Sequence, residues 1–262
     1  MYSKYLVVAS RKDKAGYNIV LQLTQFGKYE VYIVDEEIIY TESLKKEIIE
    51  QFDFIIFASK HESEKQVKTL SLHAPGNWKT ADYGGVKGKV CKSSAVFQKQ
   101  MFEKLKENAE EHNLKGYEIT LECTHHGPLI DKPCVFIEIG ATEREWRDPK
   151  ASFVVAKTIH QMISEFKENK YNEIGIGIGG PHYCPNFNKI QMESNVAISH
   201  IIPEYALPLT EELLKEAIAK TEEEVDFAII DWKGVGRAEE RDKMLKILEQ
   251  NYIQYKRTSE IK

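Results

Sequence analysis

The sequence predicts an α/β fold in a single domain over residues 1–262, with a mixed, mostly parallel sheet and helices on both faces. Three observations predict it. Apolar runs of strand length alternate with segments of helical periodicity along the whole chain. Several runs, Phe54-Ile55-Ile56-Phe57 and Phe227-Ala228-Ile229-Ile230 among them, are apolar at every position, as strands covered on both faces are. No repeat, low-complexity tract or linker composition divides the 262 residues, a length that one large domain accommodates.

Taken in order, Met1-Tyr2-Ser3-Lys4-Tyr5-Leu6-Val7-Val8-Ala9 enters a first strand at Leu6. Ala15, Ile19, Val20 and Leu23 recur at helical spacing, and Gly27 is placed to close that helix. Val31–Val34 is a second strand, and Thr41 is expected to cap a helix carrying Leu44, Ile48 and Ile49. Phe54–Phe57 is the third strand. From Ser71 to Lys92, histidine, proline and four glycines break any period, which reads as irregular structure. Ser94 caps a helix burying Phe97, Met101, Phe102 and Leu105, with Gly116 near its end. Ile119–Cys123 and Cys134–Ile139 are strands. Asp148-Pro149 starts a helix that buries Val155, Ile159, Ile163 and Phe166, with aspartate as cap and proline in the first turn. Glu173–Ile178 is a strand, Thr210 caps a helix through Ala217 and Ile218, Phe227–Ile230 is a strand, and Ala238–Leu248 is helical.

Composition bounds the function. Apolar residues are 42% and charged residues 29%, as in a compact globular protein. No apolar run approaches the roughly 20 residues that span a bilayer, and no signal peptide is apparent, so a cytoplasmic protein without a membrane partner is expected. A net charge of -5 argues against nonspecific coating of nucleic acid, and DNA is not an expected partner. Cys91, Cys123, Cys134 and Cys184 form no C-x-x-C pair and read as buried thiols.

The chemistry concentrates in loops after strands, where open α/β sheets bind ligands. The first is Glu122-Cys123-Thr124-His125-His126-Gly127-Pro128. Alternation puts Glu122, Thr124 and His126 on one side and His125 on the other, so the two histidines converge only if the strand ends around Thr124. The second is Gly175-Ile176-Gly177-Ile178-Gly179-Gly180-Pro181-His182-Tyr183-Cys184-Pro185. It has neither the lysine of a P-loop nor the spacing of a dinucleotide fingerprint. The backbone N–H groups of Gly179 and Gly180 are candidates to stabilise an oxyanion. The third is His73-Ala74-Pro75-Gly76-Asn77-Trp78, and Glu138 and Ser199-His200 add further donors. His61, His112 and His160, on polar or helical stretches, read as ordinary surface or hydrogen-bonding histidines. Glu138 is open between a paired charge and a ligand. Neutral imidazoles with a carboxylate are zinc chemistry, so His125, His126, Glu138, His182 and His200 are the candidate metal ligands.

These loops, with Ile198-Ser199-His200-Ile201-Ile202-Pro203-Glu204-Tyr205-Ala206 and Asp231-Trp232-Lys233-Gly234, resemble the D-aminoacyl-tRNA deacylases of the archaeal and plant type. THHGP and GGPHY carry the resemblance in combination, and the match runs from about residue 73 to near the C-terminus. The resemblance implies a cytoplasmic, zinc-dependent proofreading hydrolase with a fold similar to peptidyl-tRNA hydrolase. Its partner would be tRNA carrying a D-amino acid, and a monomer is expected.

On that reading, water activated by zinc, His126 or His182 attacks the ester carbonyl. His73, Asn77, Trp78 and Tyr183 are candidates to bind the substrate. Lys79, Lys87, Lys89, Lys92, Lys99, Lys104 and Lys106 form a candidate RNA-docking set, with Lys87 and Lys89 foremost. The alternatives are a zinc esterase or peptidase acting on small substrates, and a nonenzymatic RNA-binding module.

Overall fold

The computed structural model describes every residue except 1, 42, 43, 45, 65 and 169. The predicted start at Met1 and part of the predicted Thr41–Ile49 helix lie outside the described residues. Twelve strands are described: β1 (Tyr5–Ser10), β2 (Val31–Val34), β3 (Phe54–Glu62), β4 (Thr69–His73), β5 (Gly76–Asn77), β6 (Lys89–Val90), β7 (Glu118–Leu121), β8 (Cys134–Ala141), β9 (Glu173–Ile178), β10 (Val196–Ile202), β11 (Phe227–Ile230) and β12 (Gln254–Arg257). The helices are α1 (Lys14–Leu23), α2 (Lys46–Ile49), α3 (Ala95–Glu111), α4 (Glu143–Trp146), α5 (Pro149–Glu165), α6 (Pro185–Glu193), α7 (Glu211–Ala219) and α8 (Ala238–Gln250).

The mixed α/β class is as predicted, with the strands divided between two principal sheets. The first has the order β2-β1-β3-β8-β4-β7, parallel except where β4 runs against β8. The second, β10-β9-β11-β12, is wholly parallel. Helix α3 lies between them. Its Phe97, Met101 and Phe102 share one core with Val7, Ile56 and Ile137 of the first sheet and Ile198, Ile201 and Ile229 of the second. Burying aromatic side chains such as Phe54, Phe97 and Phe102 contributes about 1.5–3 kcal/mol each. The opposite face of the second sheet is covered by α7 and α8.

The predicted caps form. Ser94 Oγ accepts from Phe97 N–H at 3.0 Å, Asp148 Oδ1 from Lys150 N–H at 2.9 Å, and Thr210 Oγ1 from Leu213 N–H at 3.3 Å. Thr41 differs, because it closes a short 3₁₀ turn over Ile38–Tyr40 rather than opening a helix. Strand β4 runs into the stretch read as irregular, β5 and β6 lie inside it, and α6, β10 and β12 have no predicted counterpart. Neighbouring strands, which sequence periodicity does not register, supply the partners that make β4 a strand.

The other face of the first sheet positions the site. Alternation carries Ile55, Phe57, Ser59 and His61 of β3, and Cys134, Phe136 and Glu138 of β8, to one side. Apolar residues occupy the N-terminal half, where Phe57 stacks on Phe136 at 4.6 Å. Polar residues follow as the strands run toward the cavity.

Candidate functional site

A cavity of about 1280 Å³ opens over the C-terminal ends of β3, β4, β7 and β9. His61, His125, His126, Glu138 and His182 line it. Strand β7 ends at Leu121, and His126 adopts a left-handed φ of +44°. Alternation is therefore released before the two adjacent histidines, and both turn inward. Such a φ is uncommon for a residue with a Cβ and is held here by the surrounding loop.

That loop joins the two sheets. Cys123 N–H donates to the His182 carbonyl at 2.9 Å and Thr124 N–H to the Ile201 carbonyl at 3.1 Å. Gly76 N–H donates to the His126 carbonyl at 2.7 Å, fixing the stretch after β4 against it.

Three imidazoles have their tautomer set by backbone. The carbonyl oxygens of Ala74, Cys123 and Gly127 lie 3.2, 2.8 and 2.7 Å from Nδ1 of His73, His125 and His126. A carbonyl only accepts, so each Nδ1 carries the proton and each Nε2 presents a lone pair. Those Nε2 atoms face carboxylates: His73 and His126 lie 3.8 and 4.0 Å from Glu138, and His125 lies 3.4 Å from Glu122. His73 Nε2 is buried without a hydrogen-bond partner. One donor atom each from His73, His125 and His126 all lie within 4.8 Å of one another. Acceptors converging with no donor among them are the electrostatic signature of a place for a cation, and backbone carbonyls on the outer nitrogens are how metal-ligating histidines are usually held.

A second group adjoins the first. Glu122, whose side chain is fully buried, accepts from His182 Nε2 at 2.9 Å, and His61 Nδ1 lies 3.1 Å from its other oxygen. His61 Nδ1 is also 3.6 Å from Glu138, and its Nε2 donates to the Tyr183 hydroxyl at 2.8 Å. Burial disfavours the charged form of His61, but hydrogen bonds with Glu122 and Glu138 outweigh it and raise its pKa to about 12. Burial likewise opposes ionisation of Glu138, yet the charged His61 beside it outweighs burial and holds it at about 2. The His182 pKa is raised to about 10, because Cys123 and Glu122 together outweigh its desolvation.

The structure thus gathers His125, His126, Glu138 and His182 as predicted, and adds three residues. His73, expected to touch substrate, is fully buried within the histidine cluster. His61 was expected to be an ordinary histidine. The missed signal was that β3 runs on through Glu62, so the alternation Phe57, Ser59, His61 continues to the site. Glu122, on the site side of the predicted alternation, is the shared carboxylate of the second group.

Other expectations are corrected. His200 lies apart from the cluster, with Nδ1 3.2 Å from the Thr124 hydroxyl and Nε2 donating to the Lys220 carbonyl at 3.2 Å. It is a buried hydrogen-bonding residue. Gly179 N–H donates to the Ile202 carbonyl at 2.8 Å, and a Cβ on Gly234 would come within 2.2 Å of Gly180 N. Both glycines serve close packing against the Asp231–Gly234 turn and do not line the cavity as an oxyanion hole. Lys99 is fully buried and donates to the Gln191 and Ser194 carbonyls at 2.6 and 2.8 Å, so it leaves the RNA-docking set. Lys89 is paired with Glu216 at 2.9 Å, and Lys87 is exposed. Tyr183 supports His61, and Trp78 is a buried wall of the cavity with Nε1 donating to the Ile201 carbonyl at 3.3 Å. Cys91, Cys123, Cys134 and Cys184 are free and buried, as expected. Among the described residues no helix is long and apolar enough to cross a membrane.

Residues 48–256 match the family model described as D-aminoacyl-tRNA deacylase. Curated relatives carrying that name include one from Methanocaldococcus jannaschii, 34% identical over 97% of this chain and 99% of its own length. One from Pyrococcus furiosus is 36% identical over 87% and 91%, and one from Thermococcus kodakarensis is 37% identical over 78% and 75%. A crystal structure of a conserved protein of unknown function superposes with a TM-score of 0.89 at 29% identity, covering 98% of this chain and 96% of that one.

Proposed function

Because this chain belongs to the D-aminoacyl-tRNA deacylase family, we propose that the histidine–glutamate cluster is where it hydrolyses the ester joining a D-amino acid to the terminal ribose of tRNA. The observation that carries the site is the convergence of His73, His125 and His126, each with Nδ1 committed to a backbone carbonyl and Nε2 free.

The donor set fits zinc, with His73, His125 and His126 as nitrogen ligands and Glu138 as the carboxylate. A bound zinc ion would supply Lewis acidity and lower the pKa of a water molecule toward neutrality. This chain's own proton carrier is His182. It lines the cavity, and its Nε2 rests on Glu122. The hydrogen bond to Glu122 and a pKa of about 10 make His182 an imidazolium at neutral pH, so it is the acid that gives a proton to the departing ribose oxygen. The attacking water loses its proton to bulk water, and the imidazole left behind is reprotonated from solvent. His61, held by Glu122, Glu138 and Tyr183, fixes both carboxylates. The products are a free D-amino acid and tRNA, and the setting for such an enzyme is the cytoplasm.

Comparing release from D-tyrosyl- and L-tyrosyl-tRNA, with and without chelator and with zinc restored, tests the reading. Faster release of the D-isomer, abolished by chelator and recovered with zinc, is expected. Equal rates for both isomers would refute the stereochemical reading, and indifference to chelator would refute the zinc.

A further inference from the structure

Two tyrosines at the cavity rim are unaccounted for by the hydrolytic cluster. Tyr40 is 46% exposed and Tyr83 65% exposed, and both line the cavity. Among the described residues neither ring packs on another aromatic ring. Exposed aromatics are ordinary on loose loops, but these are held firmly. Gly127 N–H donates to the Tyr83 carbonyl at 2.9 Å, and Asn77 Nδ2 donates to the Gly84 carbonyl at 2.7 Å. A Cβ on Gly84 would fall 1.9 Å from the Ile39 carbonyl oxygen, and one on Gly127 would fall 2.5 Å from that oxygen and 2.4 Å from Gly85 N. The turns carrying Tyr40 and Tyr83 are thus wedged backbone to backbone against the residue that follows His126. The backbone of both turns is therefore fixed against the loop that carries His126.

The cavity is larger than the roughly 300–1,000 Å³ of usual small-molecule sites, so it accommodates more than an amino acid. The cavity lining includes Glu37, which Lys60 pairs at 3.7 Å, and Asp82, whose carboxylate disfavours a phosphate and suits the amino group of a base. Lys79 reaches the Leu207 carbonyl.

The geometry points to Tyr40 and Tyr83 as a stacking platform for the terminal nucleobase of the aminoacylated 3′ end, placing the adjoining ribose ester over the histidine cluster. This rests on the deacylase reading and adds the residues that recognise the nucleoside. Asn77, expected from sequence to touch substrate, is the positioning residue of the platform.

The test compares a D-tyrosyl ester of adenosine with a base-free D-tyrosyl ester, using wild type, Tyr83→Ala, Tyr40→Ala/Tyr83→Ala and Tyr83→Trp. Base–aromatic stacking is worth a factor of about 5–160 per base. The alanine variants are expected to lose preference for the nucleoside ester by a factor in that range, mainly through KM, and Tyr83→Trp to retain it. A short CC-terminated oligonucleotide ending in 2-aminopurine should lose its fluorescence quenching on binding to the alanine variants. Wild type active on D-tyrosyl-tRNA, with ester preference and quenching unchanged in the double variant, would overturn the platform alone. Wild type inactive on D-tyrosyl-tRNA would overturn the deacylase reading and the platform with it.

Discussion

His182 Nε2 donates to Glu122 Oε2 across 2.9 Å, linking the loop that leaves the second sheet to the carboxylate that directly follows a strand of the first. Neither residue has this partner within its own sheet, so the proton-handling pair exists only when both sheets pack on α3.

Glu122→Gln breaks that pair and leaves His61 facing a neutral amide. Breaking a buried ion pair costs about 3–5 kcal/mol. Thermal melts should show a loss of that order, and kcat should fall by at least ~100-fold with a smaller change in KM. Full activity in this variant would remove Glu122 and His182 from proton transfer.

His126→Ala deletes a donor nitrogen of the proposed zinc set. Metal analysis of the purified protein should show less than half the zinc of wild type. The rate should drop by at least ~100-fold, more than loss of a supporting contact alone produces. Undiminished metal content would exclude the His73–His125–His126 group as the binding site.

Gly127→Ala tests the wedge. The new Cβ meets the Ile39 carbonyl oxygen and Gly85 N, both backbone atoms that cannot rotate away. A change in kcat of about 10-fold or more is expected although no reacting group is altered, because a small displacement of His126 degrades its alignment. A variant with wild-type kcat and melting temperature would show that the loop tolerates displacement.

His200 gives a pH signature separate from the cluster. Burial lowers its pKa from 6.5 to about 4, so it stays neutral in the folded protein over a range where the unfolded chain binds a proton. The unfolded state therefore takes up more protons between pH 6.5 and 4, and stability falls as pH drops through that window. The loss amounts to roughly 3 kcal/mol at pH 4. Denaturant melts of wild type and His200→Gln should diverge in slope across that interval; parallel slopes would contradict the shift.

Lys99→Met should cost stability and spare RNA binding. The variant leaves the Gln191 and Ser194 carbonyls without their donor, a penalty of about 1–3 kcal/mol. The salt dependence of KM for aminoacylated tRNA should match wild type, since Lys99 contacts no solvent. A shallower salt slope would return Lys99 to the docking surface.

Much of the site was legible because its residues sit next to strong local signals. Gly127-Pro128 after His126 and Gly179-Gly180-Pro181 before His182 mark strand ends, and strand ends are where α/β sheets bind ligands. His61 was hidden because its neighbours Lys60 and Glu62 are charged, and the continuation of β3 depends on pairing with β8, which local composition does not register. His200 has the reverse history. Its Ile201-Ile202-Pro203 surroundings look like those of the other histidines, but its strand belongs to the second sheet, so its side chain meets Thr124 and Lys220 instead of the cavity.

The sequence by itself determined the α/β class, the helix caps at Ser94, Asp148 and Thr210, and the residue types able to hold a metal and move a proton. Those properties depend on periodicity and on chemistry carried by each side chain, which are local. Only the tertiary structure decided which histidines meet. The meeting depends on strand register, on the left-handed turn at His126 and on the packing of two sheets against α3, and each of these is a contact between segments remote in the chain.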